Sequence, residues 1–404
     1  MGHSHAVGGG SFSTGLDALL GGEEQGMLAR LKGARVGLLV NPTSVTRGYE
    51  HAIEALGGAG VEIVRLFGPE HGVRSEAQDM EAVDGEVDPI SGIDTVSLYG
   101  HTLESLEPRQ GDLDGLDVVV CDIQDVGARY YTYAYTVGLM MKACGEAGVE
   151  CWVLDRPNPL GGEVLEGNVV LPECASFVGM QPLATRHGMT LGELARFFAR
   201  HGGWGCDLEV VAMRGWSRGQ WFDQTTAPWV MPSPNMPTLD TATVYPGQCL
   251  LEGTNLSEAR GTTRPFELFG APYVDAVALK ARLDAFGLPG VVFRLASFRP
   301  MFQKHANQTC QGLQMHVTDR DAFRSVLVST CVISACLELF PGGFGWRDEA
   351  YEFVEDVPAI DLLFGDAQAR ARLERGDDPR EVVAWLDGRR GEFEARRAGC
   401  LMYE

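Results

Sequence analysis

The chain has 404 residues, 45% of them hydrophobic and 22% charged, with a net charge of −22. That length exceeds what one hydrophobic core usually serves, so two domains are expected. The acidity repels phosphate backbones and anionic lipid, which argues against nucleic acid and bare membrane as partners.

The opening "MGHSHAVGGGSFSTG" has no apolar core segment and reads as a flexible leader over residues 1–14. No signal peptide is visible in it, and no run of about 18 apolar residues occurs anywhere after it. A cytoplasmic protein is the expectation, or a periplasmic or secreted one if a leader was removed. The ten cysteines form no CxxC pair, and most lie inside apolar runs, as reduced buried thiols do.

Strands are expected at 34–40, 61–67, 94–99, 116–123 and 150–155. These runs are apolar throughout, which suits strands covered on both faces. Helical stretches alternate with them. One spans 128–148, with Gly148 as its C-cap. Another starts after Thr190, whose partner Glu193 completes a capping box. Such alternation predicts an α/β fold with a doubly wound, mostly parallel sheet. Residues 227–247 hold five prolines and few helix signals, so the region reads as an ordered crossing. From about 273, helices and strands predict a second, smaller α+β domain.

The polar residues at the strand ends are the strongest functional signal. Asn41 comes after the first strand, Glu70 and His71 after the second, and His101 after the third. Asp122 and Asp125 end the fourth, and Asp155 and Arg156 the fifth. Open α/β sheets bind ligands beyond the carboxyl ends of their strands. Each acidic residue also reads as a turn or helix cap when taken alone. Their coincidence on one edge points to a pocket.

The usual cofactor signatures are missing. There is no GxGxxG after the first strand, no GxxxxGK[ST], no HExxH and no GxSxG. No cofactor and no metal are expected. Carboxylates remain, with His71 and His187 near them. A pair of carboxylates suits glycoside hydrolysis, where one protonates the leaving oxygen and the other stabilises the oxocarbenium-like centre. Glu70, at the end of an apolar strand, fits the acid, because desolvation raises a carboxyl pKa. Asp122 or Asp125 fits the ionised partner. Tyr131, in a tyrosine-rich run, is a candidate pocket wall. Arg129, Arg156, Arg260 and Arg264 are candidate carboxylate forks. The stretch 252–267, with Asn255, is expected to reach back as the pocket's second wall.

The strings "NPTSVTRG", "LFGPEHGVR", "DIQDVGARYYTY", "LDRPNPLGG", "ATRHGMTLGELARFF" and "PSPNMPTLDTATVYPGQCLLEGTNLSEARGTTRPFELFGAP" resemble the NamZ-like exo-β-N-acetylmuramidases, from about residue 15 to the end. The resemblance implies a Rossmann-like catalytic domain over 15–235, a crossing segment over 236–272 that contributes to the cleft, and an auxiliary domain over 273–404. It implies release of N-acetylmuramic acid from the non-reducing end of peptidoglycan fragments, as in cell-wall recycling. The family's carboxylate corresponds to Glu70, with Asp122 or Asp125 as partner and Asn235 of "PSPNMP" among the pocket residues. Selecting a lactyl ether requires a buried cation, expected to be Arg129 or Arg264. A non-catalytic muropeptide-binding protein and a metal-assisted hydrolase using Glu70, His71, Asp122 and His187 stay open as alternatives.

Overall fold

The computed structural model describes residues 12–22, 24–74, 87–100, 102–109 and 111–404. The apolar runs pair side by side as β1 (Arg35–Val40), β2 (Glu62–Gly68), β3 (Thr95–Ser97), β4 (Val118–Asp122) and β5 (Glu150–Leu154). Two short strands, β6 (Glu166–Val169) and β7 (Ala184–Arg186), form a separate antiparallel ribbon. A further strand, β8 (Leu208–Val211), then returns to the main sheet. The order is β3-β2-β1-β4-β5-β8, with every pair parallel. This is the doubly wound order that reverses direction between β1 and β4. The short edge strand β8 is an addition to the five strands expected from sequence.

Residue alternation explains why the runs are apolar throughout. Val36, Leu38, Val120 and Trp152 turn to one face, against Leu16, Ile53 and Leu56. Leu39, Val119, Cys121 and Val153 turn to the other, against Val137, Met141 and Leu194. Both faces are covered, so neither needs polar positions.

The helix expected from 128 begins later, as Tyr133–Ala147. Residues just before it are committed elsewhere: the Arg129 N–H donates to the Thr185 carbonyl (2.8 Å), beside β7. Its end is as expected, with Gly148 left-handed at φ 70°. The Thr190–Glu193 capping box is also present.

The crossing segment contains a helix, Leu239–Gln248, with Pro246 inside it. The proline-rich composition conceals it. The second sheet is antiparallel, in the order β10 (Val291–Phe298), β11 (Cys310–Val317), β9 (Leu268–Ala271). Its third strand, β9, comes from the end of the crossing segment. A long-range tie through Glu166 joins the halves. Glu166 on β6 pairs with Arg186 (3.1 Å) and accepts from the Val326 N–H (3.0 Å) at the start of the helix Ser325–Leu339. One hydrophobic core runs from the main sheet through Tyr245, Phe269 and Val332 into the second half.

The expected leader shortens at its end. Phe12 packs on Met213 and Trp216, Ser13 exchanges backbone hydrogen bonds with Arg214, and Thr14 caps the first helix. Residues 1–11 and His101 lie outside the described residues. Among the described residues no helix is long and apolar enough to cross a membrane.

The helix Leu239–Gln248 meets Ser325 at very short range. The Ser325 hydroxyl donates to the Val244 carbonyl (2.6 Å) and accepts from the Gly247 N–H (2.7 Å). A Cβ on Gly247 would fall 1.9 Å from the Ser325 carbonyl oxygen. Gly247→Ala is therefore expected to destabilise the protein by about 1–3 kcal/mol or more, the scale of overpacking. An unchanged melting temperature in that variant would contradict this close approach.

Candidate functional site

The strand β2 ends at Gly68, and the chain turns through Pro69, Glu70, His71 and Gly72. The Gly72 N–H closes the turn on the Pro69 carbonyl (2.9 Å). His71 adopts a left-handed backbone at φ 73°, uncommon for a residue with a side chain. The turn aims both Glu70 and His71 inward, and each is buried. Thr132, immediately before the helix Tyr133–Ala147, donates its hydroxyl to Glu70 Oε2 (2.7 Å). The positive end of that helix therefore stands beside the carboxylate.

Glu70 and His71 line a partly enclosed cavity built from both halves of the chain. The first half also contributes Tyr131 and Thr132, and the segment after it contributes Ser233 and Asn235. Glu252, Arg260 and Phe266 form the expected second wall, and Tyr351 and Glu352 close it from the C-terminal half. Aromatic edges stack around it, with Tyr131 against Tyr133 (4.8 Å between centroids) and Tyr245 against Phe266 (4.9 Å). Burial raises the Tyr131 hydroxyl pKa well above its ordinary value, so it stays protonated.

Among the described residues, three carboxyl groups and one arginine line this cavity. Glu252 Oε1 accepts from Arg260 Nη2 (2.7 Å) and Nε (3.3 Å), and Oε2 accepts from the Tyr351 hydroxyl (2.7 Å). Burial pushes the Glu252 carboxyl up. Arg260, Tyr351 and Lys304 together outweigh that and hold it below its ordinary value. The Arg260 guanidinium also lies over the Phe266 ring at 5.1 Å.

Of the residues expected from sequence, Glu70, His71, Tyr131, Asn235 and Arg260 meet at this cavity. The others do not line it, each for a physical reason. Asp122 is locked to Arg156 by two contacts, 2.5 Å to Nε and 2.8 Å to Nη2. Arg156 Nη2 also donates to the Val45 carbonyl (3.0 Å). Asn41 is fully buried and accepts from the Thr43 N–H (3.0 Å), holding the turn after β1. Asp125 accepts from the Gly127 N–H (2.6 Å) and lies 3.4 Å from His187 Nε2, while His187 Nδ1 accepts from the Met189 N–H (3.2 Å). That pair is sealed in the interior.

The two arginines expected to bind a lactyl carboxylate are placed otherwise. Arg129 is buried and donates to the carbonyls of Asn168 (2.7 Å), Leu183 (3.1 Å) and Leu363 (2.8 Å), tying the two halves together. Arg264 is half-exposed and pairs with Glu267 (3.1 Å). Asn255 bonds Tyr273 (2.7 Å) and the Gly343 carbonyl (2.7 Å), fastening the second half internally.

Asp155 is a structural knot. It accepts from the Tyr403 hydroxyl (2.6 Å), the Thr190 hydroxyl (2.7 Å), the Gly192 N–H (2.8 Å) and the Arg156 N–H (3.0 Å). Sequence reasoning missed Glu252 and Glu352 as individual residues. Glu252 opens the polar stretch read as a wall, but Glu352 stands in a charged tail segment that gave no signal. Among the described residues no group of three or more His, Cys, Asp or Glu is arranged to hold a metal ion.

Family models described as "Exo-beta-N-acetylmuramidase NamZ", N-terminal and C-terminal, match residues 36–240 and 243–403. The chain belongs to this family. It is 42% identical over 391 residues to the peptidoglycan beta-N-acetylmuramidase NamZ of Bacillus subtilis (strain 168), covering 96% of this chain and 91% of that protein. A crystal structure of a DUF1343 family protein from Bacteroides fragilis NCTC 9343 matches with a TM-score of 0.86 at 32% identity, over 97% of this chain and 99% of that one. A second DUF1343 protein of that strain matches with a TM-score of 0.72 at 26% identity, over 98% and 99% of the two chains. The family membership makes the chain a glycosidase.

Asp155 generates a test of this site's surroundings. Burial pushes its carboxyl up from 3.8 to about 6, against the donors that favour ionisation. A raised acid pKa means the folded state holds the proton more tightly. The stabilisation is then fully present below about pH 4 and is lost as pH rises through about 6. The linked change is about 3 kcal/mol. Denaturant melts should show the advantage of wild type over Asp155→Asn shrinking between pH 4 and 7. A difference constant across that range would contradict the assignment.

Proposed function

We propose that the protein is an exo-acting hydrolase that removes N-acetylmuramic acid from the non-reducing end of peptidoglycan-derived chains, with Glu70 as the proton donor. One observation carries the reading: Glu70 is buried beside Thr132 in a cavity walled by aromatic rings and shared by both halves of the chain. Low solvent access strengthens each polar interaction made there. The activity named for the Bacillus subtilis relative points the same way.

In this reading the Glu70 carboxyl gives its proton to the glycosidic oxygen as that bond lengthens. The aromatic edges pack on the sugar ring, and Asn235 and Ser233 offer hydrogen bonds. A partly enclosed hollow accepts a chain end more readily than a chain interior, which favours exo action. Its free volume is about 30 Å³, room for a couple of waters.

Arg260 replaces Arg129 and Arg264 as the arginine that reads the lactyl carboxylate. It lies in the cavity wall, and its pairing with Glu252 fixes the guanidinium fork in place. The lactyl group is what distinguishes the muramyl sugar from its unsubstituted glucosaminyl analogue, so a cation is the natural selector.

On a muramyl disaccharide, Glu70→Gln is expected to lower kcat by at least about a hundredfold. Near-wild-type turnover would take the acid role away from Glu70. Arg260→Ala is expected to erase most of the preference in kcat/KM for muramyl over glucosaminyl substrates. A preference left intact would show that another group reads the carboxylate.

A further inference from the structure

Most glycoside hydrolysis uses a second carboxylate that balances positive charge on the anomeric carbon, on the far side of the bond from the acid. Asp122, expected for this role, is held by Arg156, and Asp125, which accepts from the Gly127 N–H through one oxygen, does not line the cavity. Glu252 has both oxygens engaged by Arg260 and Tyr351. The third carboxyl of the cavity, among the described residues, is Glu352. We propose that Glu352 is the second catalytic carboxylate, brought to Glu70 from the opposite half of the chain; the inference rests on the glycosidase reading above.

The backbone supplies an independent argument. Tyr351 and Val354 exchange both backbone hydrogen bonds (3.0 Å each), closing a two-residue turn. The residues within it, Glu352 and Phe353, are both left-handed, at φ 46° and 67°. Such turns favour Asn-Gly, because side chains crowd the backbone there. This chain puts a glutamate and a phenylalanine at the two strained positions. Phe353 packs on Tyr99 (6.0 Å) and Phe177 (6.5 Å), which pins the turn. Glu352 is buried on the cavity wall, where the Tyr99 hydroxyl reaches it at 3.4 Å. Strain of this kind persists where a side chain must be presented in one direction. Tyr99 lies just past β3 and Glu70 just past β2, so the Tyr99 contact registers Glu352 against the edge that carries the acid.

The chemistry balances with water as the only co-reactant. The C1–O glycosidic bond breaks, and its electron pair leaves on the oxygen that takes the Glu70 proton. Ionised Glu352 faces the positive C1 while that charge develops. The water oxygen then bonds to C1, and its released proton restores the carboxyl pair.

Two variants and two substrates test this. One substrate is a 4-nitrophenyl N-acetyl-β-muraminide, whose leaving group needs no proton; the other is a muramyl disaccharide, whose leaving group does. Glu352→Gln is expected to lower kcat on both by about a hundredfold or more. Glu70→Gln should lose mainly the disaccharide. Glu352→Gly relieves the left-handed backbone, so it should melt no lower than wild type and be equally inactive; a structural role would not separate stability from activity in that way. Turnover within about tenfold of wild type in either folded variant would overturn the proposal, as would a loss confined to the disaccharide. A wild type inert on both substrates would instead overturn the glycosidase reading, and this inference with it.

Discussion

The bidentate contact between Asp122 and Arg156 occupies the point where the sheet reverses. Sheets with this strand order normally bind at the crevice between β1 and β4, where the order reverses. Here that crevice is filled by the ion pair, with Asn41, Ser44 and Gln124 buried around it. The Ser44 hydroxyl also donates to the Asp122 carbonyl. Breaking such a pair from one side costs about 3–5 kcal/mol, because a charge is left buried alone. The cavity that Glu70 lines lies instead along the sheet edge, at the end of β2. There the N-terminus of the helix Tyr133–Ala147 and the second half of the chain meet.

That displacement explains the site's composite character. A pocket at the switch point would need only the main sheet. A pocket beyond β2 is incomplete until Glu252, Arg260, Tyr351 and Glu352 arrive. Ties between the halves, from Arg129 to the Leu363 carbonyl and from the Val326 N–H to Glu166, therefore also bear on the spacing across the cavity. The acidic surplus of the chain reaches into this site as three carboxyl groups, one of which, Glu252, pairs with the Arg260 guanidinium. Arg260 and the Tyr351 hydroxyl keep Glu252 ionised and so fix one negative charge in the wall.

Much of the main sheet was legible because burial on both faces leaves a plain mark, an unbroken apolar run. Both helix caps, Thr190 with Glu193 and Gly148, were legible because capping is local chemistry. The edge strand β8 is short and half-buried, so it left no such run. The helix Leu239–Gln248 was hidden by Pro246 and by the prolines before it. Glu70 was legible as a cavity residue from its position after β2; Glu252 and Glu352 were not. An aspartate at a strand end reads the same whether it faces a sugar or is caged by an arginine from the next strand, as Asp122 is. Three of the four candidate arginines fell outside the cavity, Arg260 within it, for a related reason: sequence gives charge, while partners brought by the fold decide whether a guanidinium is spent, as the carbonyls around Arg129 do. Glu352 owes its place to a turn whose left-handed residues carry no glycine to announce it.

The central claim is that chemistry happens between Glu70 and the second half of the chain, not at the reversal of the sheet. The most direct measurement is a crystal structure of the Glu70→Gln variant soaked with an intact muramyl disaccharide. The account predicts the glycosidic oxygen within hydrogen-bond distance of residue 70, with the anomeric carbon facing Glu352. Sugar bound over β1 and β4 against Asp122, with residue 70 out of reach, would contradict it.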